Sequence, residues 1–286
     1  MALLKTYLPV KRILNNLYFL FLLNGLLAAS LFFFATEASY EKELFSAISQ
    51  NIKKELPQNF TDQDYALKAL ETTGYLQNNR SAVFGSSGIK GITANFFHPS
   101  TVDLMTNEGA CGSYVVALLR ILKSNNIQVK TGQMKVNGIY GGHMILEAWI
   151  ENRWVVMDPT FGLYFKNDDG SWASFKQLQA NWNFYKHQTP QDYNQEYQYE
   201  DMRYTNREKI PVLTPAIKSI FNVILGREMA DSISIRPYLL RSYHKLAWFT
   251  FIIWIAVMLH TAKTYSARKK TELHAPSSAE MKTKAA

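Results

Sequence analysis

The sequence has very little cysteine, since Cys111 is the only one among 286 residues. A single thiol cannot form a disulfide within the chain, and in an oxidising compartment a lone cysteine is a liability unless it is buried or used. The six histidines are scattered, and none forms a His-x-x-x-His or Cys–His pair with the spacing of metal ligands. The sequence therefore predicts no disulfide, no metal and, lacking any cofactor motif, a cofactor-free protein.

The excess of positive over negative charge is modest. The formal net charge is +8, and much of the excess lies in the two terminal flanks. A nucleic-acid-binding domain would carry a basic face, and no basic cluster occurs in the middle of the chain, so no nucleic-acid partner is predicted. An apolar content of 47% and a charged content of 19% are typical of a globular or partly membrane-embedded protein.

The first apolar run covers residues 13–35, directly after Lys11 and Arg12. It is long enough to span a bilayer, and its basic flank predicts that residues 1–12 are cytoplasmic. The alternative is a cleaved signal peptide with a small-residue site near Ala38. Because the run is longer than the usual core of a signal peptide, we favour an uncleaved anchor.

The second apolar run, LAWFTFIIWIAVML, is short for a transmembrane span. Tryptophans at positions 248 and 254 suit an aromatic belt, and the flanking residues extend the segment to 243–262. The basic residues after it predict a cytoplasmic, disordered tail over 263–286. Both flanks thus place the middle of the chain outside the cytoplasm, between two anchors.

Cys111 opens a predicted helix in the segment NEGACGSYVVALLRIL. The residues that follow it recur at helical spacing, namely Val115, Leu118, Leu119 and Leu122. The free N–H groups and the positive dipole end of a helix stabilise a thiolate and can later face an oxyanion. A nucleophilic thiol also needs a base and an orienting group, and His143 and Asp158 are the candidates.

His143 and Asp158 are predicted on adjacent antiparallel strands. Asn137-Gly138 is a hairpin turn, His143 to Ile150 is a strand, and Glu151-Asn152 is a two-residue turn before a strand that ends at Asp158. Pairing across the second turn places position 145 opposite Asp158. Because strand side chains alternate, His143 then lies on the same face as Asp158, about 7–8 Å away at the backbone.

The segments G-A-C-G, G-G-H and W-V-V-M-D-P-T together resemble the transglutaminase-like superfamily, a branch of the papain-like cysteine enzymes. The resemblance implies an α+β fold in which a cysteine-bearing helix packs on an antiparallel sheet that carries the histidine and the aspartate. It implies that Cys111 is the nucleophile, His143 the general base and acid, and Asp158 the group that orients the imidazole. Ser113 and Met144 depart from the family pattern, which leaves the substrate pocket open.

The remaining segments are assigned around this core. We predict a helical part over residues 40–100, the catalytic core over 101–165 and an aromatic-rich extension over 166–240. The aromatic residues of the extension suit either a groove for sugars or an extended peptide, or packing on the core, and we favour packing. Three side chains are nevertheless candidates for contacting substrate, namely Glu147, Trp182 and Tyr193. Of these, Glu147 is predicted on the same strand face as His143.

The functional expectation is a bacterial, membrane-anchored cysteine peptidase or amidase of the inner membrane, with its domain in the periplasm or outside the cell. Its partners would be the lipid bilayer and a peptide, protein or glycopeptide of the cell envelope. An amine in place of water would instead make it a cross-linking transglutaminase. A non-catalytic binding or assembly module is the second alternative, and the sequence leaves the oligomeric state open.

Overall fold

The structure is a computed structural model that describes residues 15–79, 111–204 and 242–273, with a few single positions between them. Predictions that fall on residues 1–14, on most of 80–110 and 205–241, and on 274–286 lie outside the described residues. The chain divides into two compact units. One unit is Ser39–Ser242, and the other joins Met1–Ala38 to Tyr243–Ala286.

Helix α1 runs without interruption from Leu17 to Glu55. The apolar run and the helix predicted to begin near residue 40 are therefore a single element, because no glycine or proline separates them. Pro57 ends the helix, since the residue before a proline avoids the helical conformation. The two basic residues of the last turn, Lys53 and Lys54, complement the negative end of the helix dipole.

Two further helices form one side of the central unit. Helix α2, Asp62–Asn78, begins with a capping box in which Thr61 Oγ1 accepts from Asp64 N and Asp64 Oδ2 accepts from Thr61 N. Helix α3, Cys111–Ser124, packs against it, and Tyr65 Oη of α2 donates to the carbonyl of Ile121 at 3.1 Å. The two helices therefore bury a shared apolar face.

The central unit contains an antiparallel five-stranded sheet with the order β4-β3-β2-β1-β5. The strands are β1, Val129–Val136; β2, Ile139–Ile150; β3, Arg153–Asp158; β4, Leu163–Tyr164; and β5, Met202–Arg203. Asn137 and Gly138 join the first hairpin with φ of 50° and 79°, and Glu151 and Asn152 join the second with 50° and 62°. Both are two-residue turns of the type that matches strand twist, as predicted.

Each face of the sheet carries its own core. Helices α2 and α3 pack on one face, against residues such as Leu146 and Met157. The other face is covered by the segment after β4, which includes the short helices α4, Phe175–Ala180, and α5, Trp182–Tyr185. Besides Phe165, the buried aromatic residues of this segment are Phe175, Tyr185, Tyr193 and Tyr199 on this face of the sheet, and Trp172, which packs with the α2 and α3 core. The packing interpretation of the aromatic extension is therefore confirmed for these residues.

The terminal unit is built from the first part of α1 and from α6, Tyr243–Leu273. Asn24 Nδ2 of α1 donates to Thr261 Oγ1 of α6 at 2.9 Å. Helix α6 continues through its basic residues to Leu273, so the prediction of a disordered tail is wrong for residues 263–273. The residues beyond Thr261 are rich in alanine, lysine and arginine, which favour helix.

Both α1 and α6 are long and apolar enough to cross a membrane. Most of their apolar side chains are not buried within the protein: Phe32 is 73% exposed and Ile252 is 64% exposed. A contiguous apolar surface of this kind marks contact with lipid or with another protein. The α+β class, the antiparallel sheet and an apolar helix near each end are therefore confirmed.

Candidate active site

Cys111 is the first residue of α3, as predicted, and its side chain is partly buried. Val115, Leu118 and Leu122 are fully buried, and they hold α3 against the sheet. At the other end the chain turns through Asn126, whose φ of 60° lets Ile127 N donate back to the carbonyl of Leu122. The thiol is thus presented at the amide-rich end of a helix that is fixed by its own packing.

His143 lies on β2 and is 1% exposed. The register between β1 and β2 shifts immediately before it: Met134 pairs with His143, but Lys135 pairs with Tyr140. Gly141 and Gly142 form the extra residues of this bulge, and Gly141 has a φ of 102°. A bulge re-aims the side chain that follows it, so the Gly-Gly pair sets the direction of the imidazole.

Asp158 is the last residue of β3 and is fully buried. The predicted register is confirmed, because Ile150 pairs with Arg153 and Leu146 with Met157. His143 and Asp158 therefore share a face, and His143 Nε2 lies 2.7 Å from Asp158 Oδ2. The second carboxylate oxygen, Oδ1, accepts from Thr160 N at 3.2 Å, which fixes the carboxylate at the end of the strand.

The Cys111 thiol and the His143 ring are close enough that each acts on the protonation of the other. Since Nε2 faces Asp158, the nitrogen left for the thiol is Nδ1. Burial raises the pKa of the thiol, but the His143 hydrogen bond and charge, with the backbone of Met144 and Gly112, outweigh it and lower the pKa of Cys111. Burial lowers the pKa of His143, but Asp158 and Cys111 outweigh it and raise the pKa to about 9. The site thus favours a thiolate–imidazolium pair.

Aromatic rings surround the imidazole. The Tyr197 ring stacks on His143 with centroids 4.2 Å apart and planes 11° apart, and the Phe161 centroid lies 6.0 Å from it. A ring face over a cation adds electrostatic stabilisation, so Tyr197 favours the protonated form of His143. Sequence reasoning missed both residues. Phe161 could have been found from its place in the Asp-Pro-Thr-Phe segment, but no sequence signal marks Tyr197.

Tyr193, one of the three candidate substrate residues, contacts the carboxylate instead. Its Oη donates to Asp158 Oδ2 at 3.4 Å and lies within hydrogen-bond distance of Tyr199 Oη, at 3.2 Å. The side chain is 3% exposed, and burial, followed by the charge of Asp158, raises its pKa strongly. Tyr193 therefore stays neutral and supports Asp158 at Oδ2, the same oxygen that faces His143.

The other two candidate substrate residues have partners outside the triad. Glu147 is 4% exposed, and its carboxylate accepts from Tyr204 Oη. Trp182 packs on Tyr199 with ring centroids 4.7 Å apart, and on Phe165 at 5.8 Å. Among the residues that the structure describes, no three His, Cys, Asp or Glu side chains are grouped as metal ligands.

Comparisons with known proteins give no match to this chain, whether to a family model, a curated protein or a solved structure.

Proposed function

We propose that the protein is a membrane-anchored, transglutaminase-like cysteine enzyme that transfers acyl groups and hydrolyses a peptide or amide bond in the cell envelope. The observation that carries the proposal is the convergence of three side chains: His143 Nε2 lies 2.7 Å from Asp158 Oδ2, and the same ring interacts with the Cys111 thiol. A buried imidazole between a thiol and a buried carboxylate is the arrangement that nucleophilic catalysis by cysteine requires.

In the first half of the reaction, the Cys111 thiolate adds to the carbonyl carbon of the substrate. The negative charge moves to the carbonyl oxygen, where N–H groups at the start of α3 can stabilise it. His143 then gives its proton to the leaving nitrogen, the C–N bond breaks and a thioester forms on Cys111. Asp158 and Tyr197 stabilise the imidazolium that this step consumes.

In the second half, neutral His143 takes a proton from water, and the resulting hydroxide adds to the thioester carbonyl. The C–S bond breaks, the acid product leaves and the thiolate–imidazolium pair is restored. A primary amine in place of water would form a new amide, so cross-linking is the alternative outcome of the same intermediate.

The proposed location rests on the two exposed apolar helices and on the basic residues beside them. Lys263, Arg268 and Lys270 follow the apolar part of α6, and Lys11 and Arg12 precede that of α1 in the sequence. Basic flanks stay on the cytoplasmic side, which supports a location of residues 39–242 in the periplasm or outside the cell. A Cys111→Ala, Glu196→Cys variant of the full chain should be labelled by a membrane-impermeant maleimide from outside intact cells. Labelling only after lysis would overturn the location.

Because Cys111 is the only cysteine, alkylation of the purified full chain reports on this thiol alone. We expect iodoacetamide near pH 6 to alkylate Cys111 much faster than it alkylates the thiol of free glutathione. The glutathione thiol is almost wholly protonated at that pH. His143→Gln should abolish the advantage, and Glu196→Gln, an exposed change, should preserve it. A rate no higher than that of glutathione would contradict the proposed thiolate.

The two reaction outcomes and the binding-module alternative can then be separated. Hydrolysis predicts Cys111-dependent release of amine from fluorogenic peptide amides, and cross-linking predicts incorporation of a fluorescent primary amine. A binding module predicts that Cys111→Ala retains full function in cells. This last alternative draws on the aromatic segment, but most of its large side chains are buried in the core rather than offered to a partner.

A further inference from the structure

A cleft of about 440 Å³ lies between helix α2 and the loop that follows Asp158. One wall is formed by Leu67, Leu70 and Glu71 of α2, and the opposite wall by Phe161, Pro190 and Asp192. We call this space the α2 cleft. Its volume is within the range of small-ligand sites and is ample for one amino-acid side chain.

The α2 cleft adjoins residues that touch both halves of the triad. Phe161, in its wall, contacts the His143 ring with centroids 6.0 Å apart. Asn78, at its edge, accepts a hydrogen bond of 2.7 Å from Tyr114 Oη, and Tyr114 lies in the first turn of the cysteine helix. A group bound in the cleft is therefore next to the base on one side and to the nucleophile helix on the other.

The charge of the α2 cleft is negative. Among the described residues that line it, two are acidic and none is basic. Lys68 Nζ lies 3.0 Å from Glu71 Oε2 and offsets its charge, whereas among the residues that the structure describes no hydrogen bond or ion pair holds the exposed Asp192 side chain. Asp192 is thus a free carboxylate at the mouth of a cleft whose remaining walls are largely apolar.

We infer that the α2 cleft binds a substrate side chain with an aliphatic stem and a terminal cation, such as an amine or a guanidinium, with Asp192 receiving the charge. The apolar walls suit the methylene stem, which buries its carbons while its charged end stays near water. The inference rests on the proposed function, because it makes the cleft a specificity site for the acyl donor. It goes beyond that function by naming the chemistry of the donor.

The kinetic test uses peptidyl chloromethyl ketones that end in lysine or in the uncharged analogue norleucine, with the full chain in detergent. The Cys111 thiolate displaces chloride and forms a C–S bond, so mass spectrometry gives a rate for each probe. We expect a lysine-to-norleucine rate ratio that falls about three- to fivefold in Asp192→Asn, the effect of a partly exposed ion pair. Glu196→Gln, an exposed carboxylate of the same segment outside the cleft, should leave the ratio unchanged.

The second test measures binding without any reaction at Cys111. In Cys111→Ala, saturation-transfer NMR should show that N-acetyl-lysine amide binds more tightly than N-acetyl-norleucine amide, and Asp192→Asn should remove this preference. A lysine-to-norleucine rate ratio that is the same in wild type and in Asp192→Asn would overturn the inference. If iodoacetamide still alkylated Cys111 rapidly, the proposed function would stand. A preference for lysine amide alongside an inert Cys111 would support recognition by the cleft and overturn the acyl-transfer function.

Discussion

Replacing Asp158 by asparagine would remove the negative charge beside His143 and keep an oxygen able to accept the same hydrogen bond. Asp158 is fully buried and lies 2.7 Å from His143 Nε2, so water does not screen the interaction. The substitution therefore isolates the electrostatic part of the contact. The thiol, the imidazole and the strand register remain in place.

The magnitude follows from the pKa of His143, which the site raises from 6.5 to about 9. At about 1.4 kcal/mol for each tenfold change in the proton equilibrium, this rise stabilises the imidazolium by about 3 kcal/mol. Asp158 supplies the largest of the favourable contributions and Cys111 the rest. We therefore expect Asp158→Asn to lower kcat/KM by up to about 100-fold.

The pH profile should change in a definite direction. Acyl transfer needs the thiolate and the imidazolium together, so wild-type activity should be present above the lowered pKa of Cys111 and be lost as the pH rises through about 9. In Asp158→Asn the alkaline limb should move down toward 6.5, the ordinary pKa of histidine.

The assay is kcat/KM for a fluorogenic peptide amide between about pH 5 and pH 10, with Asp168→Asn as a surface control. An alkaline limb that stays near pH 9 in Asp158→Asn would refute the idea that this carboxylate holds the proton on His143. A loss of folded protein, seen as a loss of far-UV circular dichroism, would exclude that variant, and Asp158→Glu would then be used. The longer carboxylate should restore the alkaline limb if the charge is what matters.

Three further predictions concern residues around the triad. Tyr197→Ala removes the ring stacked on His143, and it should lower kcat/KM roughly two- to tenfold and shift the alkaline limb of the pH profile downward. Gly142→Ala would place a methyl group 2.7 Å from Val136 Cβ, and it should destabilise the protein to urea by about 1–3 kcal/mol. Burial raises the pKa of Glu147, against its hydrogen bond from Tyr204, so this group favours folding below pH 4.5 and loses that contribution as the pH rises. Glu147→Gln should therefore gain stability relative to wild type between about pH 4 and pH 7, measured by urea unfolding.

Control variants accompany the first two predictions, and contradicting results accompany the first and the third. Tyr197→Phe keeps the ring and should retain the wild-type profile, and equal losses in the two variants would rule out stacking as the cause. Gly74→Ala, within α2, would place its methyl group 4.0 Å from the nearest side-chain atom, Asn78 Nδ2, and should be neutral or stabilising. For Glu147→Gln, a stability difference that does not depend on pH would contradict the effect of burial.

Much of the site could be predicted because it depends on local rules. The hairpin turn at Glu151-Asn152 fixes the register, and the register alone puts His143 and Asp158 on one face. The helix that begins at Cys111 follows from the spacing of its apolar residues. None of these steps required knowledge of how distant segments pack.

The parts that the sequence did not reveal depend on contacts between distant segments. Tyr197 reaches His143 across 54 positions (197 − 143), and no periodicity or turn signal marks it. Glu147 shares the strand face of His143, as predicted, but its carboxylate accepts a hydrogen bond from Tyr204 Oη. This contact depends on how the later segment packs, which the sequence pattern does not indicate. Likewise, α1 continues past residue 35, where the predicted anchor ends, because no glycine or proline interrupts the helix there.

The aromatic segment after β4 is better regarded as part of the active site than as its flank. Tyr193 donates to the Asp158 carboxylate and Tyr197 covers the His143 ring, so the two groups that tune the imidazole come from one stretch. Tyr199 joins them through a hydrogen bond between its Oη and that of Tyr193, and it is itself fully buried among Phe165 and Trp182. Because these rings also form the core on that face of the sheet, a change that loosens this core should alter the pKa of His143 before it unfolds the protein. Trp182→Ala tests this directly, because among the described residues the Trp182 ring packs on Tyr193 and Tyr199 and not on the imidazole. An alkaline limb shifted in this variant would show that packing of the core affects the pKa of His143. An unchanged alkaline limb would show that the packing of this core has no effect on that pKa.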